Sequence, residues 1–492
     1  MYRLSGLAIN SRSDPERQSI ETAEAEAKLE VSKVNAGDAR KRDLAALLHP
    51  ATNLAVHEER GPLMIERGKG IYVYDSDGKE YIEGLAGLWC TALGYGVEEL
   101  AETAAEQMRK LGFGHLFGSK THQPAIELAE RLKQMVPIDN ARVFFANSGS
   151  EANDSQIKLA WYYNNAIGRP KKKKIISRNR AYHGVTIASG SLTRLPANQR
   201  DFDLPIANII YTDCPHHYRN AEPGESEEAF ASRLAANLDQ LIVDEGPDTV
   251  AAFIAEPVMG AGGVVVPPRT YFEKIQAVLR KHDVLFIDDE VICGFGRTGN
   301  AFGAQTFGMQ PDTMSLAKAL SSAYLPISAV VIPEFMYEPM VESSRKIGVF
   351  GHGFTYSGHP VSAAVAVRTL EIYAERQVFA HAAKVAEHFQ ARLRALSEHA
   401  LVGDARGVGL IGGCELVADQ STGRAFATPG KVGGYCMDRC HAHGLIVRSI
   451  GDTVALCPPL VITEPEIGEL FDRLERALDD TLAWVEREGL RG

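Results

Sequence analysis

The chain has 492 residues, of which 45% are hydrophobic and 23% charged, a balance that excludes a largely disordered protein. Its 63 acidic residues outnumber 52 Lys and Arg, giving a formal charge of −11 spread along the chain, which argues against a dedicated nucleic-acid binder. No apolar run approaches the ~18 residues of a membrane helix, and the opening residues lack the apolar core of a secretory leader. Together with seven scattered cysteines, this predicts a cytoplasmic protein with reduced thiols and no membrane partner.

Residues 1–44 are rich in Glu, Ala, Lys and Arg and predict a solvated, partly helical extension. Residues 71–83 alternate apolar and polar around Asp77-Gly78 and predict a hairpin. From about residue 120 the pattern alternates between helical stretches, such as 124–135 and 226–242, and short apolar runs. Those runs are Val143–Ala146, Ile175–Ile176, Ala251–Ala255, Val284–Ile287 and Ala329–Ile332, each bounded by Gly, Pro or polar residues, as buried parallel strands are. Lys171–Lys174 reads as a solvated turn. The tail, with helical segments at 376–399 and 464–487 around short strands, reads as α+β. Two clusters invite a metal reading, Cys214 with His216 and His217, and Cys436 and Cys440 with His441 and His443. Neither has paired zinc-ligand spacing, so packed thiols and surface histidines are expected, with no metal.

In open α/β sheets ligands bind beyond the carboxyl ends of strands, so the polar residues just after the apolar runs carry the functional signal. After Val143–Ala146 comes Asn147-Ser148-Gly149-Ser150-Glu151-Ala152 and a helix start, an anion site in which Ser148, Gly149 and Ser150 offer hydroxyl and backbone donors; alone it is equally a plain helix cap. After Val284–Ile287 come Asp288, Asp289 and Glu290, carboxylates that need a cationic or hydrogen-bonding partner at the end of a buried strand. Lys318 stands alone among small and apolar residues, where desolvation lowers an amine pKa and suits it to imine formation; the bland alternative is a surface lysine. Ser315 with Lys318 also matches the SxxK pattern of serine acyltransferases, but the companion motifs are absent. Tyr182-His183-Gly184 offers an aromatic plate, and Gly353–Pro360 is a hydroxyl-rich loop suited to phosphate. A phosphate cradle, a carboxylate for a pyridinium, a lysine for an aldehyde and a stacking ring are the demands of pyridoxal phosphate.

Residues 45–490 resemble the class III (ω-amino acid) aminotransferases of the fold-type I pyridoxal-phosphate superfamily. The resemblance rests on Gly87-Leu88-Trp89-Cys90, Asn147–Ala152, Tyr182-His183-Gly184, Glu256-Pro257-Val258, Asp289-Glu290-Val291 with Gly294–Gly299, Ala317-Lys318, Thr355–Pro360 and Val447-Arg448, in that order. It implies a large cofactor-binding domain at 106–365, with a mostly parallel seven-stranded sheet flanked by helices. A small α+β domain is implied at 45–105 and 366–492, drawn from both termini.

By position, the resemblance assigns Lys318 to the covalent link with the cofactor aldehyde and Asp289 to the pyridine nitrogen. Tyr182 and Val291 take the two ring faces, with His183 and Glu256 beside the cofactor. Ser148, Gly149 and Ser150 bind the phosphate, with Thr355 reaching it from a neighbouring subunit, so a homodimer with shared sites is implied and pairing into tetramers is left open. Trp89 and Phe117 are assigned to pocket walls and Arg448 to a substrate carboxylate. The implied reaction moves an amino group from an amine donor to a keto acid acceptor in two half-reactions; an aminomutase or decarboxylase on the same fold is the alternative. Ornithine- and GABA-type relatives carry a second Glu five residues after the Glu-Pro glutamate, where this chain has Ala261. With Trp89, this points to the ω-amine:pyruvate subgroup and to pyruvate as acceptor.

Overall fold

A computed structural model describes residues 36–491; the predicted extension before residue 36 lies outside the described residues. The chain forms two compact units, one comprising residues up to Glu66 with Tyr74–Lys79, the other Arg67–Val73 with everything from Glu80 onward. In the first unit, helices span Ala36–Ala46 and Leu54–Arg60. The second helix begins where the Asn53 side chain accepts from Val56 N at 3.3 Å and ends at Gly61, whose φ of +72° suits glycine.

The second unit is built on a seven-stranded sheet. We label its strands β1 (Arg142–Ala146), β2 (Lys174–Arg178), β3 (Ile209–Thr212), β4 (Val250–Ala255), β5 (Leu285–Asp289), β6 (Thr313–Leu316) and β7 (Ser328–Ile332). Their spatial order is β1-β7-β6-β5-β4-β2-β3. β7 runs antiparallel to both neighbours and every other pair is parallel, so the predicted mostly parallel sheet is observed. β4 and β7 are buried at every residue, which is why they read as continuous apolar runs. β3 and β6 escaped the sequence reading. β3 is four residues long, and β6 (Thr-Met-Ser-Leu) carries two hydroxyls, of which Ser315 Oγ accepts from Gln156 Nε2 at 3.2 Å.

Beyond the large sheet, β8 (Val402–Val408), β9 (Ile411–Leu416), β10 (Arg448–Ile450) and β11 (Thr453–Leu456) form an antiparallel sheet in the order β8-β9-β11-β10. The long helix Glu464–Arg487 closes the tail; its capping box, Thr463 with Glu466, explains its sharp start. The short strand Glu80–Glu83 pairs in parallel with Leu445–Ile446, so an N-terminal segment joins the C-terminal one. The Gly294–Gly299 motif works as a tie: Arg297 Nη1 donates to Leu410 O at 2.9 Å and Pro458 O at 2.6 Å.

Two local expectations are corrected. Lys172 is buried, its ammonium bonded to the backbone oxygen of Asp283, so Lys171–Lys174 is not a solvated turn. His216 is buried as well, so it is not a surface histidine. All seven cysteines are free. No described helix is long and apolar enough to cross a membrane.

Candidate active site

At the carboxyl ends of β1, β2, β4, β5 and β6, a cavity of about 130 Å³ is lined by Gly149, Ser150, Asn153, Tyr182, His183, Gly184, Glu256, Asp289, Val291, Ile292 and Lys318. The topology dictates its composition, since each parallel strand delivers the residues following it to one rim.

Asp289, the last residue of β5, is 3% exposed. Its Oδ2 accepts from Asn153 Nδ2 at 2.7 Å and lies 2.7 Å from His183 Nδ1, and its Oδ1 accepts from Val291 N at 3.1 Å. Three donors thus fix the carboxylate's orientation at the cavity wall. Asn153 was missed in the sequence; it sits one turn along from Gly149 and Ser150 on the helix Gly149–Ala166, and that spacing was the available signal. Its amide also donates to His183 O at 2.7 Å, locking the Tyr182–Gly184 turn to the carboxylate.

The anion cradle is assembled from two segments. Gly149 opens the helix, and a Cβ there would lie 3.0 Å from the nearer Val291 methyl. At Gly184, with φ +138°, a Cβ would lie 2.3 Å from Ser189 Oγ and 2.6 Å from Ser150 Oγ, so only glycine fits. Ser150 Oγ accepts from Val185 N at 3.1 Å. Ser148 differs from its assignment: it does not line the cavity, and its Oγ caps the helix by accepting from Glu151 N at 3.1 Å.

Glu256 is fully enclosed; Oε1 accepts from Tyr182 N at 3.0 Å and Oε2 from Gly260 N at 3.2 Å, and burial raises its pKa. It therefore shapes the Tyr182 turn from behind. Lys318 follows β6 with φ +51°, a left-handed conformation unusual for lysine that aims the backbone turn at the cavity. Among the described residues its Nζ makes no hydrogen bond or ion pair. Burial pushes the amine pKa down, opposed by Asp289. Ser315, by contrast, is wholly buried inside the sheet beside Gln156, which removes the serine-acyltransferase reading.

The expected substrate residues are dispersed. Trp89 is 2% exposed, has φ +63°, and packs with Leu85, Val258, Ile292 and Cys457. Arg448 begins β10 without a hydrogen-bond or ion-pair partner among the described residues; burial lowers its pKa, opposed by the Tyr182 hydroxyl. Phe117 lies elsewhere, half-exposed in a broad groove with Leu116, Ile126, Phe144, Val349 and Gly353, and Thr355 is exposed on the loop beside that groove. Within one chain, neither reaches the Lys318 cavity.

This arrangement of lysine, carboxylate, ring plate and glycine cradle on a mixed sheet accords with the match of residues 54–478 to the aminotransferase class-III family: the chain belongs to that family and is a pyridoxal-phosphate-dependent transaminase. It is 50% identical to the chloroplastic gamma aminobutyrate transaminase 3 of Solanum lycopersicum over 426 residues, covering 86% of this chain and 82% of that protein. It is 51% identical to the mitochondrial gamma-aminobutyrate transaminase 1 of Oryza sativa subsp. indica over 421 residues, 85% of this chain and 82% of that one. Among solved structures, the ω-transaminase of Pseudomonas jessenii in complex with PMP is 54% identical, with a TM-score of 0.90 over 91% of this chain and 99% of that chain.

The residues present fit the cofactor. His183 Nε2 and Asn153 Oδ1 are buried beside Asp289 without a partner, Ser150 and the two glycines leave room where a phosphate would approach backbone, and the Lys318 amine is free.

Proposed function

We propose that this protein is an ω-transaminase that takes amino groups from primary amines or ω-amino acids and passes them to pyruvate. The observation that carries the reading is the unpaired, desolvated Lys318 amine sharing one small cavity with Asp289. When bound, pyridoxal phosphate supplies an aldehyde for amines and an electron sink for the charge left by proton removal. Asp289, oriented by Asn153, His183 and Val291 N, would receive the pyridine nitrogen. Tyr182 and Val291 would hold the ring, and Gly149, Ser150 and Gly184 would accommodate the phosphate. Lys318, its amine biased towards the neutral form by burial, takes the proton from the substrate carbon and returns it as an acid.

Arg448 is the substrate-carboxylate residue in this reading. A partly buried guanidinium without a hydrogen-bond or ion-pair partner among the described residues suits a ligand anion, so it favours keto acids and amino acids with a distant carboxylate. Donors named for the plant relatives, γ-aminobutyrate, are of this kind. One variant of the Pseudomonas enzyme, engineered for synthesis of bulky amines, replaces a tryptophan, a phenylalanine and an arginine at intervals of 28 and 331 residues, the same intervals that separate Trp89, Phe117 and Arg448. That supports these three as walls of one substrate pocket. The distance of Phe117 and Thr355 from the same chain's cavity supports a homodimer in which each subunit lends that groove and loop to the other's site. Seven free thiols support a reducing compartment such as the cytoplasm.

The test is a steady-state comparison of acceptors with γ-aminobutyrate, β-alanine and a non-carboxylate amine as donors. The expected result is a kcat/KM for pyruvate at least tenfold above that for 2-oxoglutarate. The reverse preference would overturn the acceptor assignment, and absence of amino transfer to any keto acid would overturn the transaminase reading of the donor specificity.

A further inference from the structure

We propose that Asp43, His49 and His57 form a binding site for a divalent cation of the zinc class, a clip within the N-terminal unit. Asp43 lies in the helix Ala36–Ala46, His57 in the helix Leu54–Arg60, and His49 in the connection between them. One donor atom from each converges on the others within 4.8 Å. His49 Nε2 lies 2.9 Å from Asp43 Oδ2, and His57 Nε2 lies 3.2 Å from the same oxygen. Two ligands each about 2.0–2.1 Å from one ion, at angles between octahedral and tetrahedral, stand roughly 2.9–3.4 Å apart, so both carboxylate–imidazole separations fall in the range of a shared metal, and the two ring nitrogens lie within 4.8 Å of each other.

A second observation concerns His57. Its side chain is 10% exposed and its Nε2, although at ion-pair distance from Asp43, makes no hydrogen bond among the described residues, so the ring nitrogen points into the cluster unsatisfied. The imidazoles of His49 and His57 are held 4.0 Å apart, centroid to centroid, with both Nε2 atoms turned to the carboxylate. Two neutral imidazoles and one carboxylate are a zinc ligand set that leaves further positions for water.

The other histidine–carboxylate cluster among the described residues, His216 with Asp404 and Glu415, differs in holding a guanidinium. Arg406 Nη1 already bridges its carboxylates at 2.6 and 2.8 Å, so a cation there would meet a guanidinium. Among the described residues, no Lys or Arg nitrogen is bonded to Asp43. The clip also has a structural rationale. The helix Leu54–Arg60 buries none of its residues, and Leu44, Leu47 and Leu48 are exposed, so the local fold has little apolar packing to close it. Metal binding commonly substitutes for a missing core in short elements.

The experiment uses full-length holoprotein, treated with chelator and dialysed, then titrated with zinc by calorimetry and assayed for bound metal by mass spectrometry, with thiols alkylated beforehand to silence the cysteines. The proposal expects one zinc per chain, and an affinity at least tenfold weaker in His57→Ala and in Asp43→Asn. Retention of the cofactor's visible band in both variants shows that the rest of the chain is intact. Zinc is further expected to slow proteolysis between residues 43 and 60 in the native protein and not in either variant. No stoichiometric zinc in the native protein, or equal affinity in native and variant proteins, overturns the site.

Discussion

Gly184→Ala isolates the geometry of the anion cradle. The added methyl carbon would lie 2.3 Å from Ser189 Oγ, 2.6 Å from Ser150 Oγ and 2.8 Å from Ser150 Cα. The two hydroxyls can rotate, but Ser150 Cα is backbone at the start of a helix, and it must retreat by roughly 0.6 Å to reach ordinary contact. Overpacking of this kind costs about 1–3 kcal/mol, and a side chain at φ +138° adds a similar strain, so the perturbation totals roughly 2–6 kcal/mol. Even the lower bound, if it falls on the cofactor-bound state, weakens pyridoxal-phosphate binding by about 30-fold. Gly149→Ala is the internal comparison: its methyl would touch only Val291 methyls at 3.0 and 3.2 Å, which can yield, so the loss should stay within about tenfold. The assay is titration of apoprotein with pyridoxal phosphate, followed by visible absorbance and by fluorescence quenching. Native-like affinity in Gly184→Ala would refute the reasoning, as would a larger loss in Gly149→Ala than in Gly184→Ala.

Three further outcomes are expected. Arg448→Leu should raise KM for pyruvate by about 10- to 150-fold, the value of one to two kilocalorie-scale charged hydrogen bonds, while the first half-reaction with a non-carboxylate amine, read as bleaching of the visible band, keeps its rate; equal losses in both half-reactions would contradict the carboxylate role. Ser315→Ala should retain turnover, losing only the Gln156 hydrogen bond, about 0.5–1.5 kcal/mol of stability; abolished activity in a folded protein would reopen a nucleophilic serine. Burial raises Glu83 to about 7 against backbone donors including Leu85 N, so the folded state holds a proton that the unfolded chain releases near pH 4.5. Its contribution is complete below that pH and fades as pH rises through 7, so Glu83→Gln should flatten the fall in melting temperature between pH 5 and 8, a span worth about 3 kcal/mol; a parallel fall in both proteins would contradict it.

The sequence exposed much of the sheet because five strands carry an apolar run, and the observed β4 and β7 are buried at every position. It concealed β6, whose Ser315 hydroxyl is reconciled with burial by the side chain of Gln156, distant in the chain. Asp289 and Tyr182 were legible because each follows an apolar run, and Lys318 because it stands alone among small and apolar residues; parallel topology brings such positions together. Asn153 was not read, since a polar residue inside a helix is marked only by its one-turn spacing from Gly149 and Ser150, and Ile292 was not, since an apolar residue in a turn carries no chemical signal. Ser148 illustrates a genuine degeneracy: the same serine before a helix serves as phosphate ligand or helix cap, and here its hydroxyl caps. The cationic run at Lys171–Lys174 misled because burial of Lys172 depends on the carbonyl of Asp283, more than a hundred residues away.

The account rests on a covalent bond between Lys318 and the cofactor aldehyde, and this can be read directly. Holoprotein is reduced with borohydride, digested and sequenced by mass spectrometry, with Lys318→Ala treated in parallel. The predicted result is a single pyridoxyl-phosphate-modified peptide carrying Lys318, and no modified lysine in the variant. Modification of a different lysine, or none in cofactor-saturated native protein, would contradict the central claim.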